Sequence, residues 1–74
     1  MTNNTATYCT DIDLINTMIA TVSKWVANYD NDCDRDGDEW IQSPEMLKVR
    51  RDSAIRKLRY LKAERALAEA AAAL

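Results

Sequence analysis

The stretch that decides the fold is residues 43–74, SPEMLKVRRDSAIRKLRYLKAERALAEAAAAL. Ser43 is a favourable N-cap, and Pro44 stands at the first helical position, where its missing N–H costs nothing. Glu45 follows beside the positive end of the helix dipole. No Gly or Pro comes after Pro44, and the strongest helix formers dominate the remainder. The stretch therefore predicts one long helix over about residues 43–73, roughly 45 Å in length.

The residues before this helix predict a second, shorter helix over about residues 10–29. Residues 10–13, TDID, have the form of a capping box with Asp in place of Glu. Apolar side chains then recur at alternating steps of three and four, at Ile12, Ile15, Ile19, Val22, Val26 and Tyr29. This spacing is heptad-like, and Leu14, Met18 and Trp25 widen the apolar face on one side.

An acidic loop over about residues 30–42 connects the two predicted helices. Its first ten residues, DNDCDRDGDE, contain six acids and one Arg. Carboxylates are unfavourable at the negative end of a helix dipole, so the first helix should end near Tyr29. The predicted fold class is all-α, a two-helix hairpin in a single domain over residues 1–74. Residues 1–9 are expected to form a flexible or docking N-terminal arm.

The length and the charge distribution both favour association with another chain. Seventy-four residues bury too little surface for a generous core, so oligomerisation often completes such a fold. Residues 1–43 carry eight acids and two bases, net −6, whereas residues 44–74 carry eight bases and four acids, net +4. This asymmetry suggests self-association or a charged partner, although a solvated, salt-bridged helix also accounts for it.

The long helix carries apolar residues on two sides, while a simple hairpin requires only one. The stripe expected to pack on the first helix consists of Leu47, Ala54, Leu58, Leu61, Ala68 and Ala72. About 17 Å of the long helix, Glu64 to Leu74, should also extend beyond the shorter helix. We therefore predict an interface with another chain, formed by Val49, Tyr60, Leu67, Leu74, Trp25 and Met18. The alternative is that the Ala-rich end is frayed or solvated.

Residues 34–45, DRDGDEWIQSPE, resemble the calcium-binding loop of the EF-hand family. In that family, carboxylates at alternate positions of a curled loop supply the oxygen atoms that a hard cation requires. The resemblance implies weak calcium binding by six ligands, one of them a backbone carbonyl: Asp34, Asp36, Asp38, Trp40 (carbonyl), Gln42 and Glu45. The pattern departs from the family at Glu39, which stands where the family has Gly. The other interpretation is an acidic, solvated turn between two helices.

Catalysis and zinc binding find little support in the sequence. The chain has no His, no Ser or Cys in a nucleophile setting and no phosphate-binding Gly loop, so we expect neither an enzyme nor a small-molecule substrate. Cys9 and Cys33 lack metal-ligand spacing. Basic side chains that could neutralise phosphates line one flank of the long helix: Lys48, Arg51, Arg59 and Lys62. A nucleic-acid-binding protein is therefore the second alternative, but the acidic first half disfavours it.

The sequence favours a non-enzymatic structural or interaction protein. We expect a small helical subunit or adaptor of a larger assembly, of the size and helix pattern of virion, head–tail joining or secretion-type components. The expected partner is a protein, either a second copy or a larger assembly, and the only expected cofactor is weakly bound calcium. No signal-peptide pattern occurs and no apolar run approaches the roughly 18 residues that span a bilayer. The predicted location is therefore the cytoplasm, or a virion or other assembly, without secretion by a signal peptide.

Overall fold

The computed structural model describes residues 11–74, which form a helical hairpin. Within this range lie two α-helices, α1 (Ile12–Asp30) and α2 (Pro44–Ala72), joined by the acidic loop of residues 31–43. The two helices pack against each other along their lengths. The predicted all-α hairpin is therefore confirmed. The predicted N-terminal arm, residues 1–9, lies outside the described residues.

Helix α1 begins two residues later than predicted. Its N-cap is Asp11, which has extended backbone and accepts a hydrogen bond at Oδ1 from the Leu14 N–H at 3.1 Å. The capping box had placed the start at Thr10, which lies outside the described residues. An Asp carboxylate is a strong N-cap because it satisfies an exposed N–H and lies at the positive end of the dipole. This physical advantage places the cap at Asp11 and the first helical residue at Ile12.

Helix α1 ends in a Schellman motif, the arrangement that satisfies the last carbonyls of a helix. The Cys33 N–H donates to the Asn28 carbonyl at 3.0 Å. The Asp32 N–H donates to the Tyr29 carbonyl, also at 3.0 Å. Asp32 adopts φ +63°, in the left-handed region where a side chain is strained. Its carboxylate also lies at the negative end of the α1 dipole, which is unfavourable.

Replacing Asp32 by Gly should therefore stabilise the hairpin. We expect Asp32→Gly to raise the free energy of unfolding by about 0.5–1.5 kcal/mol, because it removes both the strain and the unfavourable charge. Urea denaturation followed by circular dichroism measures the change. Asp36→Gly is the matched control in the same loop, since Asp36 does not have a positive φ. Equal loss of stability in both variants would contradict the assigned motif.

Helix α2 begins where the sequence predicted. Ser43 is the N-cap, and its Oγ accepts a hydrogen bond from the Met46 N–H at 3.3 Å. Pro44 is the first helical residue, and the helix ends at Ala72, one residue before the predicted end. The N-terminal pattern of Ser followed by Pro thus defines the start, because both residues suit positions that lack intrahelical bonds.

The core lies between the facing stripes of the two helices. Its buried centre consists of Val22 and Tyr29 from α1 with Ala54 and Leu61 from α2. Partly buried hydrophobic residues pack against this centre: Met18, Ile19, Trp25, Val26, Leu47 and Leu58. The predicted heptad-like seam of α1 and the predicted stripe of α2 therefore face each other. Only the last member of the α2 stripe, Ala72, is exposed.

The register of the hairpin leaves less of α2 unpaired than the sequence suggested. The Arg51 Nε lies 2.6 Å from Asp30 Oδ1, and the Arg65 Nη1 donates to Asn16 Oδ1 at 2.9 Å. In an antiparallel pair of helices, the residue numbers of facing positions have a constant sum. Both contacts have the same sum, so α1 runs antiparallel beside residues 51–69 of α2. The predicted overhang of Glu64 to Leu74 was too long, because the acidic loop shifts α1 toward the end of α2. The first two turns of α2 lie beside the loop instead.

Candidate interaction surface

The predicted second stripe of α2 is exposed. Val49 is 66 % exposed, Tyr60 55 % and Leu67 54 %, and Leu74 is fully exposed. At about 100° per residue these four residues, named here the outer face of α2, fall in one arc about a third of a turn from Leu61. The exposure is confirmed, and the contact with another chain stays a prediction. The centre of the core stripe lies about 140° away at the same rotation per residue, so the outer face lies roughly opposite the core.

Met18 and Trp25, the two predicted interface residues of α1, lie on the same side of the hairpin as the outer face. Both are half-buried against the core. A shallow apolar depression contains Met18, Trp25 and Lys57, so these α1 side chains border α2. A larger neighbouring groove contains Trp25 and Val49. The structure thus brings Met18, Trp25 and Val49 together on one side, and the core already buries part of the Met18 and Trp25 side chains.

A basic groove of about 380 Å³ lies where α1, α2 and the acidic loop meet. We use this name for the groove formed by Trp25, Tyr29, Arg35, Val49, Arg50, Ser53, Ala54 and Lys57. The Arg35 guanidinium carbon lies 5.2 Å from the centroid of the Trp25 ring, and the Lys57 Nζ lies 5.7 Å from it. Cations over the face of an indole are attracted by its quadrupole. The Trp25 ring therefore attracts two positively charged side chains within the basic groove.

The acidic loop is an ordered turn that hydrogen bonds stabilise. The Asp34 N–H donates to the Glu39 carbonyl at 2.8 Å, and the Gly37 N–H donates to the Asp34 carbonyl at 2.9 Å. Gly37 has φ +78°, so this turn uses the left-handed conformation that glycine adopts at little cost. The Asn28 Nδ2 donates to the Arg35 carbonyl at 2.7 Å and ties the turn to α1. The loop thus presents its side chains from a defined backbone.

The carboxylate of Asp34 is occupied by its own loop. Its Oδ1 accepts hydrogen bonds from the N–H groups of Asp36 and Asp38, both at 3.0 Å. These bonds, with that of Asp38 the strongest, lower the pKa of Asp34 below its ordinary value. They favour the ionised carboxylate because an N–H stabilises a negative acceptor. Asp34 therefore acts as the internal cap of the turn.

The predicted calcium ligands lie along the acidic loop and in the first turn of α2. Among residues 11–74, no three Asp, Glu or Cys side chains are arranged to hold a metal ion. Asp36 and Asp38 are exposed, and Glu45 lies in the first turn of α2. Gln42 and Trp40 are likewise exposed at the loop end of the hairpin. Calcium binding by this loop stays a prediction.

The predicted nucleic-acid flank of α2 is partly neutralised within the hairpin. Lys48 Nζ lies 3.4 Å from Asp52 Oδ2, and Arg51 is paired with Asp30. Two of the four predicted bases therefore already have a carboxylate beside them. Arg59 and the remaining base, Lys62, are exposed and make no ion pair within residues 11–74.

Neither helix of the described chain is long and apolar enough to cross a bilayer.

Two features of the surface were not found by sequence reasoning. Glu64 is only 6 % exposed, whereas an acid on a helix is ordinarily solvated. It hydrogen-bonds to Tyr60, and the pKa of the Tyr60 hydroxyl is raised by partial desolvation and by the neighbouring carboxylate. The pairing of Arg35 with Lys57 over Trp25 was also missed. No pattern along the chain places a loop residue beside a helix residue 22 positions later.

Comparison of the chain with protein-family models, with curated proteins and with solved structures finds no significant match.

Proposed function

We propose that this chain is a non-enzymatic structural protein that associates with other protein chains, first of all with copies of itself. The observation that carries the proposal is the exposed outer face of α2. The core stripe of the same helix is already packed on α1, whereas more than half of each apolar side chain of the outer face is exposed. A helix with a second apolar face is typical of one that lies between two neighbours.

The energetics of a small domain favour the same proposal. Burying an aliphatic side chain fully stabilises a protein by about 1.5–3 kcal/mol, and the outer face leaves several such side chains in water. A 74-residue chain has a small core, so a second layer of buried apolar side chains adds proportionally more stability to it than to a large domain. Self-association through this face would add that layer. Other chains of a larger assembly would bury the same surface in the same way.

The test of this proposal is the solution mass of the wild type and of Leu67→Glu by sedimentation equilibrium. Leu67 is exposed at the centre of the outer face and makes no polar contact within residues 11–74, whereas Tyr60 is hydrogen-bonded to Glu64. We expect the wild type to exceed the monomer mass and Leu67→Glu to approach it, with unchanged helix content. A buried, unpaired carboxylate is costly at an interface.

The matched control for this experiment is Ala66→Glu. Ala66 is exposed on α2 about 100° away from Leu67, so its substitution adds the same charge outside the outer face. A wild type that is monomeric at all concentrations would contradict self-association. Equal behaviour of the two variants would contradict the assignment of the face. The measurement is made with a chelator and with calcium, and association that occurs only with calcium would favour the EF-hand-like alternative over a constitutive assembly.

A further inference from the structure

Three cations around the basic groove have no carboxylate partner in the part of the chain that the structure describes. Arg35 and Lys57 lie over the Trp25 ring, and Arg50 lines the same groove. The two ion pairs formed within residues 11–74 involve other bases. Three neighbouring positive charges repel one another, and an anion placed between them relieves this repulsion. The groove therefore favours a negatively charged occupant with apolar parts that suit its aromatic floor.

The acidic loop offers a segment with matching chemistry. Asp36, Asp38 and Glu39 are exposed and make no ion pair with any base of residues 11–74. Their backbone is held in the hydrogen-bonded turn around Asp34. The next residue, Trp40, is 62 % exposed. The loop thus presents three carboxylates and an aromatic ring from an ordered backbone, which lowers the entropy lost on binding.

The groove and the loop lie at the same end of one hairpin, but their charges do not pair there. The Asn28 hydrogen bond to the Arg35 carbonyl holds the loop against α1. In two copies related by a twofold axis at this end, the loop of each copy would meet the groove of the other. Both contacts would form at once, as in any isologous dimer. The opposite net charges of residues 1–43 and 44–74 are consistent with this exchange.

We propose that the basic groove binds the acidic loop of a second copy of this chain. The carboxylates of Asp38 and Glu39 of one copy lie against Arg50 and Lys57 of the other, and the exposed Trp40 accompanies them. This inference rests on the proposed self-association and adds a second, electrostatic contact to the apolar contact of the outer face. The contact is electrostatic in character, so the dissociation constant rises with salt concentration.

The placement of the incoming carboxylates follows from the acids already present. Asp34 and Asp36 border a neighbouring depression beside Arg35 and Arg50. No acid lines the part of the groove around Trp25 and Lys57. The incoming carboxylates therefore lie toward Lys57, where like charges are farthest away.

The experiment uses two charge-reversed variants that should fail alone and associate when mixed. The groove variant carries Arg50→Glu and Lys57→Glu, and the loop variant carries Asp38→Lys and Glu39→Lys. Asp38 and Glu39 contribute only backbone atoms to the turn, so their side chains can be replaced without loss of its hydrogen bonds. Each variant alone should associate about tenfold or more weakly than the wild type in sedimentation equilibrium. An equimolar mixture should recover the wild-type mass.

The control reverses the same amount of charge on the other flank of α2, with Arg59→Glu and Lys62→Glu. Circular dichroism confirms that all variants keep their helix content. Recovery in the mixture with little effect of the control supports the proposal. A groove variant that associates like the wild type, or a mixture that stays monomeric, overturns it. A monomeric wild type contradicts the proposed function itself, whereas a wild-type oligomer insensitive to the reversals contradicts only the exchange of loop and groove.

Discussion

Leu61→Ala is expected to lower the free energy of unfolding by about 2–5 kcal/mol. Leu61 is only 2 % exposed and lies in the buried centre with Val22, Tyr29 and Ala54. Its truncation removes buried apolar surface and leaves a cavity that two rigid helices fill incompletely. A hairpin of this size has about 3–5 kcal/mol of stability from its core, so the variant should be largely unfolded at room temperature.

Urea denaturation followed by circular dichroism, at a protein concentration below self-association, measures this loss. Leu14→Ala is the matched control, since the same side chain is removed from a position that is about half exposed in α1. We expect the control to change stability by less than about 0.5 kcal/mol. Equal stability of the two variants would mean that the core does not lie at Leu61. Leu58 is a poorer probe because it is only half-buried.

Ala68→Leu is expected to destabilise the hairpin by about 1–3 kcal/mol. Ala68 is 3 % exposed and lies two turns after Leu61 on the same side of α2. A longer side chain there must displace its neighbours, because a close-packed interior has no free volume for three added carbon atoms. The substitution thus tests whether α2 is packed as far as this position, as the hydrogen bond between Arg65 and Asn16 indicates.

The comparison for Ala68→Leu is Ala70→Leu in the same Ala-rich segment. Ala70 is exposed, and Leu is nearly as good a helix former as Ala, so this variant should unfold like the wild type. Thermal and urea unfolding measure the stability of the two variants against the wild type. If Ala68→Leu were as stable as Ala70→Leu, the segment from Glu64 onward would be unpaired, as the sequence alone had suggested.

Most of the secondary structure was predictable because local signals agreed with one another. Ser43 and Pro44 placed the start of α2 correctly, and the apolar steps from Ile12 to Tyr29 placed the face of α1. The exposed outer face was also predictable, since a two-sided helix cannot bury both stripes in a hairpin. Calcium binding by the EF-hand-like stretch stays a prediction, and the hydrogen bonds that the Asp34 carboxylate accepts within its own turn were not evident from the sequence.

The basic groove was the part of the candidate site that the sequence did not reveal. Arg35 comes from the loop and Lys57 from the middle of α2, and they meet only because the turn folds back over Trp25. Arg50 and Lys57 are seven residues apart and so share one side of α2, but nothing along the chain shows which loop residue lies beside them. The sequence also did not reveal that Glu64 is buried, because an acid on a helix is ordinarily solvated.

The sequence by itself determined the two helices, their caps, their apolar faces and the division of charge between the halves. These properties follow from interactions between residues that are near one another along the chain. Only the tertiary structure decided the register of α1 on α2, and with it the length of the overhang and the position of the groove. Register depends on how the loop closes and how side chains interlock, which are relations between residues far apart in sequence.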